Sequence, residues 1–443
     1  MPRSHPTQPW PVPPTAPYHP HRTSGLAITS FILALATSLC SLLSAAPPPN
    51  IVFILADDLG YGELGSYGQE KIKTPHLDQL ARDGLRFTRH YTGAAVCAPA
   101  RCTLLTGRHL GHAEIRNNGD SGNGRPFPGQ WPLSAGAITI AKTLKSADYA
   151  TGGFGKWGLG PSDSTGGPNN QGFDRFYLPF VEPHLSMQPP QDWINRYPED
   201  WDKDNGPYRG QNGYLPHPRP RAGYAAMISD LDEHVGTILK RLDDLGLRNN
   251  TLVIFTSDNG TTHPGNDPKF HIGGVDAPFF NSVAGLRGWK GALYEGGIRV
   301  PAIVRWPGKV KPGTTTDTPS YFPDWFPTLC QATGAKAPAA LDGDDLTPLL
   351  TATADFKRHK PMVWEFHGYG TQLAVIDGPW KAIRQNVKSK TPGPWELYNL
   401  SEDPAETNDL AAQHPDLLQR LTNISATDRT PNPRAKLPLY DNK

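Results

Sequence analysis

The apolar positions of the chain follow two rhythms, one strand-like and one helical, and they alternate. In NIVFILADDLGYG, Ile51 to Leu55 form an uninterrupted apolar run. The run is too short for a helix and rich in β-branched residues, which predicts a strand buried on both faces of a parallel sheet. Asp57 and Asp58 follow at once. TPHLDQLARDGLRFTRHY then predicts a helix entered at Thr74-Pro75, with Leu77, Leu80 and Leu85 on one side and Gly84 near its end, leading to a strand around Phe87. Farther on, Ile228, Leu231, Val235, Ile238, Leu239, Leu242 and Leu245 recur at spacings of three and four, an amphipathic helix. A second apolar strand, Leu252 to Phe255, comes next and runs into Asp258 and Asn259. This alternation predicts an α/β fold with a mixed, mostly parallel sheet flanked by helices.

Past residue 310 the helical rhythm thins out. MVWEFHGYGTQLAVIDGPWKAIR and WELYNLSEDPAETNDLAAQ predict short antiparallel strands with turns and a closing helix, a small C-terminal α+β subdomain. The organisation expected is a Pro-rich leader and secretory signal over 1–46, a catalytic domain over 47–310, and the remainder with its antiparallel subdomain over 311–443.

Composition narrows the classes of function. The 443 residues carry 43 basic against 42 acidic side chains, so whole-chain charge supplies no argument for nucleic acid or an anionic membrane. GLAITSFILALATSLCSLLSAA, residues 25–46, follows a basic stretch and ends in small residues, as a cleaved secretory signal does. An exported protein, periplasmic or extracellular and free of the membrane after cleavage, is the expectation. Without Cys40 the mature chain keeps Cys97, Cys102 and Cys330, an odd number and no disulfide framework.

In open α/β sheets ligands bind beyond the carboxyl ends of the strands. Two strands ending in Asp57-Asp58 and Asp258-Asn259 therefore bring four oxygen-bearing side chains towards one place. An all-oxygen set selects a hard cation, calcium over magnesium for an all-protein cage, and no His or Cys spacing supports zinc. Cys97 by its residue type alone is a buried apolar residue, a disulfide partner of Cys102 or Cys330, a thiolate nucleophile or a modified residue.

The surroundings of Cys97 carry more. Cys97-Ala-Pro99-Ala-Arg101, followed by Leu105, Thr106, Gly107 and Arg108, resembles the C-x-P-x-R-x-x-x-L-T-G-R signature of the type I sulfatases of the alkaline phosphatase superfamily. NIVFILADDLGYGELGSYG, GKWGLG, SDNG, LRGWKGALYEGGIRVPAIVRWPG and ELYNLSEDPAETNDLA resemble further motifs of that family, in the same order. The resemblance implies that Cys97 is oxidised after synthesis to formylglycine by a maturation enzyme. One oxygen of the hydrated aldehyde then attacks the sulfur of a sulfate ester, and the other lets the product collapse with release of sulfate, where a plain serine ester would be a trap. It also implies one calcium ion on Asp57, Asp58, Asp258, Asn259 and position 97, with Arg101 holding the diol, Lys156 and Lys290 on sulfate oxygens, and His184 in LPFVEPHLSMQPP protonating the leaving alcohol. Arg108 and His109 lie close enough in sequence to support the diol; His263, His271 and His367 are expected to be exposed loop residues.

Two departures stand out. Gly158 occupies a position where many relatives carry histidine, and the interval between 176 and 184 is shorter than the family's. The expected activity is hydrolysis of a sulfated carbohydrate or aryl sulfate. The alternatives are a phosphate or phosphonate ester hydrolase of the same superfamily and a non-catalytic protein that binds sulfated glycans.

Overall fold

Among the described residues twelve strands organise the fold: β1 (Asn50–Ala56), β2 (Leu85–Tyr91), β3 (Gly152–Phe154), β4 (Arg175–Tyr177), β5 (Thr251–Ser257), β6 (Arg299–Arg305), β7 (Thr314–Thr316), β8 (Ser320–Tyr321), β9 (Met362–Phe366), β10 (Gln372–Asp377), β11 (Trp380–Arg384) and β12 (Trp395–Asn399). The computed structural model describes residues 47–119, 130–177, 189–211, 214–266, 269–354 and 356–441. The leader over 1–46 and His184 lie outside the described residues.

The main sheet runs β1-β5-β6-β2-β7, with β8 also pairing β2. Only β6 runs against the others. Its faces are set by alternation along the strands: Leu252 and Ile254 of β5 enter one core cluster, Val253 and Phe255 the other. Helices Pro75–Arg82 and Pro220–Asp244 cover the second face through Leu77, Leu80, Ala225, Ile228 and Val235. The helix Cys97–Thr106 covers the first, backed by Trp325–Thr333. The mixed, mostly parallel sheet flanked by helices that the alternation predicts is the one observed.

The antiparallel sheet β12-β11-β10-β9 forms a separate layer in the C-terminal region. Trp364, Ala374 and Ile383 on one of its faces join the main core. Val363, Val375, Ala382 and Leu397 on the other pack against Leu421 of the closing helix Pro415–Thr427.

Two local expectations need correcting. β1 is parallel but not buried on both faces: among the described residues it pairs only with β5, and its edge position leaves Ile51 to Leu55 half-buried. β5, one place inward, is buried along its whole length. The segment after 310 also contains a helix, Trp325–Thr333, which the apolar rhythm does not show. Trp325, Phe326, Leu329 and Cys330 are all buried, so no polar stripe marks the helix period.

Candidate active site

Register explains the first half of the site. β1 and β5 run parallel with Ala56 opposite Ser257, so the residues that follow, Asp57-Asp58 and Asp258-Asn259, leave the sheet side by side. Asp58 adopts the left-handed conformation (φ 60°), and its N–H donates to Asp258 Oδ1 at 3.2 Å. β2, parallel to β1, delivers the chain to the N-terminus of the helix Cys97–Thr106. Gly93 lies at this bend; a Cβ there would stand 1.7 Å from Thr103 Oγ1. The helix start places Cys97 over the strand ends.

Ligand atoms of Asp57, Asp58, Cys97 and Asp258 all lie within 4.8 Å of one another. Three cations converge on them. Lys156 Nζ lies 3.0 Å from both oxygens of Asp57 and 3.1 Å from Cys97 Sγ. Lys290 Nζ donates to Asp58 Oδ2 at 2.6 Å. Arg101 grips Asp258 Oδ2 through Nε and Nη2 at 3.0 and 2.7 Å and donates to the Lys156 carbonyl at 2.7 Å. The sequence-derived residues Asp57, Asp58, Cys97, Arg101, Lys156, Asp258, Asn259 and Lys290 are thus brought together.

Electrostatics follows from crowding these charges out of water. Burial alone would raise the Asp57 carboxyl, but Lys156, Arg101 and Lys290 outweigh it and hold it well below the ordinary range. Burial and the neighbouring Asp57 push Asp258 upward. Burial lowers and Asp57 and Cys97 raise Lys156, with a net shift up; Lys290 moves the same way against Asp58. Both lysines are charged. The Cys97 thiol is pushed well up, first by burial and then by Asp258, Asp57 and Asp58.

Does this set fit a hard cation? Asn259 donates its amide hydrogens to Asp58 Oδ1 at 2.7 Å and to the Gly260 carbonyl at 2.9 Å, which leaves Oδ1 buried with no hydrogen-bond partner. An orphaned buried oxygen beside three carboxylates is what a divalent oxygen-seeking cation requires, and the donor set is too hard for zinc.

Other predicted positions fall elsewhere. Arg108 and His109 follow the far end of the ten-residue helix and turn to other partners. Arg108 donates to the Ala340 carbonyl, and His109 stacks on His112 with a centroid separation of 4.3 Å beside Asp342 and Asp428. This second His/Asp cluster is not suited to a metal through His109. The Gly111 N–H donates to His109 Nδ1 at 3.0 Å, so in the neutral ring the proton sits on Nε2, which faces Asp428. His263 and His271 are half-buried rather than exposed, packed edgewise on Tyr369 and against Trp289. His367 is tied to Glu365. At Gly158 (φ 79°) a Cβ would meet Ala98 at 3.6 Å and Arg101 Cδ at 3.8 Å, ordinary contacts, so the left-handed backbone rather than lack of space favours glycine there. Sequence reading missed Tyr214, whose hydroxyl lies 3.4 Å from Asp58 Oδ2. No motif surrounds it, and only the fold carries its loop to the strand ends.

Known proteins share this arrangement of chain and fold. A family model described as Sulfatase matches residues 49–179 and 176–335, and one described as N-sulphoglucosamine sulphohydrolase, C-terminal, matches 285–425. Human Arylsulfatase A is 33% identical, with 89% of this chain and 90% of that protein covered. The chain belongs to the sulfatase family. An N-acetylgalactosamine-6-O-sulfatase of Bacteroides thetaiotaomicron is 30% identical to this sulfatase over 86% of its chain and 93% of the relative. In fold, the structure of a phosphonate monoester hydrolase of Agrobacterium radiobacter resembles it with a TM-score of 0.57 and 20% identity, covering 85% of this chain and 94% of that one. By family this sulfatase is a sulfuric ester hydrolase.

Proposed function

We propose that this sulfatase hydrolyses sulfate esters of carbohydrates or aryl alcohols by way of a formylglycine at position 97 and one calcium ion. The observation that carries the reading is the position of Cys97 Sγ: at a helix N-terminus, 3.1 Å from Lys156 Nζ and 3.9 Å from Asp58 Oδ1. Burial and the neighbouring carboxylates push the Cys97 thiol up, and the converted side chain is taken as the nucleophile from the signature that surrounds Cys97. Once converted, the hydrated aldehyde supplies an oxygen nucleophile and a second hydroxyl through which sulfate leaves. Asp57, Asp58, Asp258 and Asn259 Oδ1 would hold calcium, which when bound neutralises the carboxylates and stabilises negative charge on sulfate oxygens.

The chain's own groups do the rest. Lys156 and Lys290 present charged ammonium groups to the reacting sulfate. Arg101, fixed by Asp258 and the Lys156 carbonyl, braces position 97. The helix N-terminus adds partial positive charge where the anion sits. His184 is proposed, on sequence grounds alone, as the acid that protonates the leaving alcohol. The family match in two pieces that meet at 176–179 supports the reading that an internal stretch is missing before it. Export through the 1–46 leader belongs to the same proposal; among the described residues no helix is long and apolar enough to cross a membrane.

The test is mass spectrometry of the peptide spanning Cys97 from a maturation-competent host, paired with hydrolysis of 4-nitrophenyl sulfate. Thiol-to-aldehyde conversion with calcium-dependent turnover is expected. An unconverted Cys97 where a control sulfatase is converted sinks the mechanism; conversion with hydrolysis of phosphate esters alone transfers the reading to phosphoryl chemistry.

A further inference from the structure

We infer that a cationic cavity beside the Cys97 helix receives a second anionic group of the substrate, a sulfate or a carboxylate on the sugar adjoining the one that bears the scissile sulfate. This rests on the sulfate-ester reading above. The cavity, of about 100 Å3, is lined by Arg116, Asn117, Trp131, His367, Lys388 and Arg434, with Glu114 as its carboxylate. At about 10–15 Å3 of such volume for one water, it has room for a tetrahedral or planar anion.

Its charges are unevenly matched. Both Glu114 oxygens accept from Ser134, at 3.0 Å from N and 2.7 Å from Oγ. Arg116 is committed to Glu365 and to the carbonyls of Ala113, Gly111 and Thr430. Glu365 in turn also holds Arg429 and His367. Among the described residues, no carboxylate lies within ion-pair distance of Lys388 or Arg434. Lys388 Nζ is held at 3.0 Å from His367 Nδ1, and His367 Nε2 lies 2.8 Å from Glu365 Oε1. Nε2–H therefore donates to the carboxylate, and Nδ1 offers its lone pair to the ammonium. The lysine is positioned by a neutral ring and keeps its charge. The Arg434 guanidinium lies 4.8 Å from the centre of the Trp131 ring. The guanidinium lies over the indole, a cation–π contact that fixes the charge beside the cavity.

One wall of the cavity adjoins the start of the Cys97 helix. Asn118, next to the wall residue Asn117, accepts the Ala98 N–H at 2.8 Å. With consecutive Cα atoms about 3.8 Å apart, the Asn117 backbone on that wall lies within roughly 10 Å of the Ala98 N–H. The strap that follows β9 joins the two places: a Cβ on Gly368 would stand 2.7 Å from Asn117 Oδ1, and one on Gly291, beside Lys290, would stand 2.8 Å from the Tyr369 ring.

The test is calorimetric titration of the full chain with calcium present and Cys97 left unconverted, so that no probe is consumed. The probes are N-acetylgalactosamine 6-sulfate, the same sugar joined to a glucuronate, and a disulfated disaccharide. At least one dianionic probe should bind tenfold or more tightly than the monosulfate, and which one gains identifies carboxylate or second sulfate as the source. Lys388→Gln with Arg434→Gln should reduce that advantage to within twofold while the circular-dichroism melting curve is kept, and the exposed Lys240→Gln should leave it intact. An advantage that survives the double substitution, or a wild-type chain that shows none, overturns the inference. Because binding is read rather than turnover, a chain that discriminates the probes yet fails to hydrolyse after conversion overturns the catalytic reading instead.

Discussion

Lys156 and Lys290 approach position 97 from unrelated stretches of chain, and each arrives on a different aspartate of the β1 end. Removing either takes a charged donor from a desolvated site, where such donors are worth about 10²–10³ in rate. Lys156→Ala and Lys290→Ala should each lower kcat/KM for 4-nitrophenyl sulfate by about that factor with little change in Tm; a loss below tenfold in either would remove that lysine from the proposed role. Asp258→Asn should weaken calcium binding by at least about tenfold, read by titration of the metal into the chelator-treated protein. These residues were legible because each lies in a short motif of charged or amide residues flanked by glycine, or straight after an apolar run. Tyr214 was not, since a lone tyrosine in a turn-rich loop carries no local mark of what it will face.

The site also depends on how elements are fastened together. Lys381 of β11 is fully buried between Glu295 and Glu406, at 3.0 and 2.8 Å. Glu406 accepts the Glu295 N–H at 2.7 Å, and Glu295 accepts the Tyr91 hydroxyl at 2.9 Å. This network ties the C-terminal sheet to β2 and to the segment that carries Lys290. A lysine removed from it leaves two carboxylates buried without a cation. Lys381→Met should cost about 3–5 kcal/mol of unfolding free energy in urea, and adding Glu406→Gln should recover part of that. A variant as stable as the parent would show that the network contributes nothing. Strands and amphipathic helices of this fold were readable from their periods; Trp325–Thr333 was not, because a helix buried on most sides loses the polar stripe that marks it.

The His109–His112 cluster acts at longer range, joining the loop after the Cys97 helix to Asp342 and to Asp428 at the end of the closing helix. Burial alone would raise Asp342, but His112, His109 and Arg108 outweigh it; the hydrogen bond from His109 holds Asp428 down. Carboxyls that titrate lower in the folded than in the unfolded chain contribute stability that is full above their ordinary range, near pH 4, and lost as pH falls through the folded values. The urea midpoint should therefore decline below about pH 4, and Asp342→Asn should flatten that decline; an unchanged profile would rule the cluster out as its source. The apolar rhythm and the ordered motifs were enough to specify the α/β class, the C-terminal antiparallel sheet and the residues that meet at the strand ends, because period and motif are local properties that survive without coordinates. The edge position of β1, the diversion of Arg108 and His109 to Asp342 and Asp428, the Lys381 network and the cavity at Lys388 and Arg434 emerged with the packing. Each joins residues hundreds of positions apart or depends on which strand has a neighbour, and long-range pairing of that kind leaves no trace in the spacing of side chains along the chain.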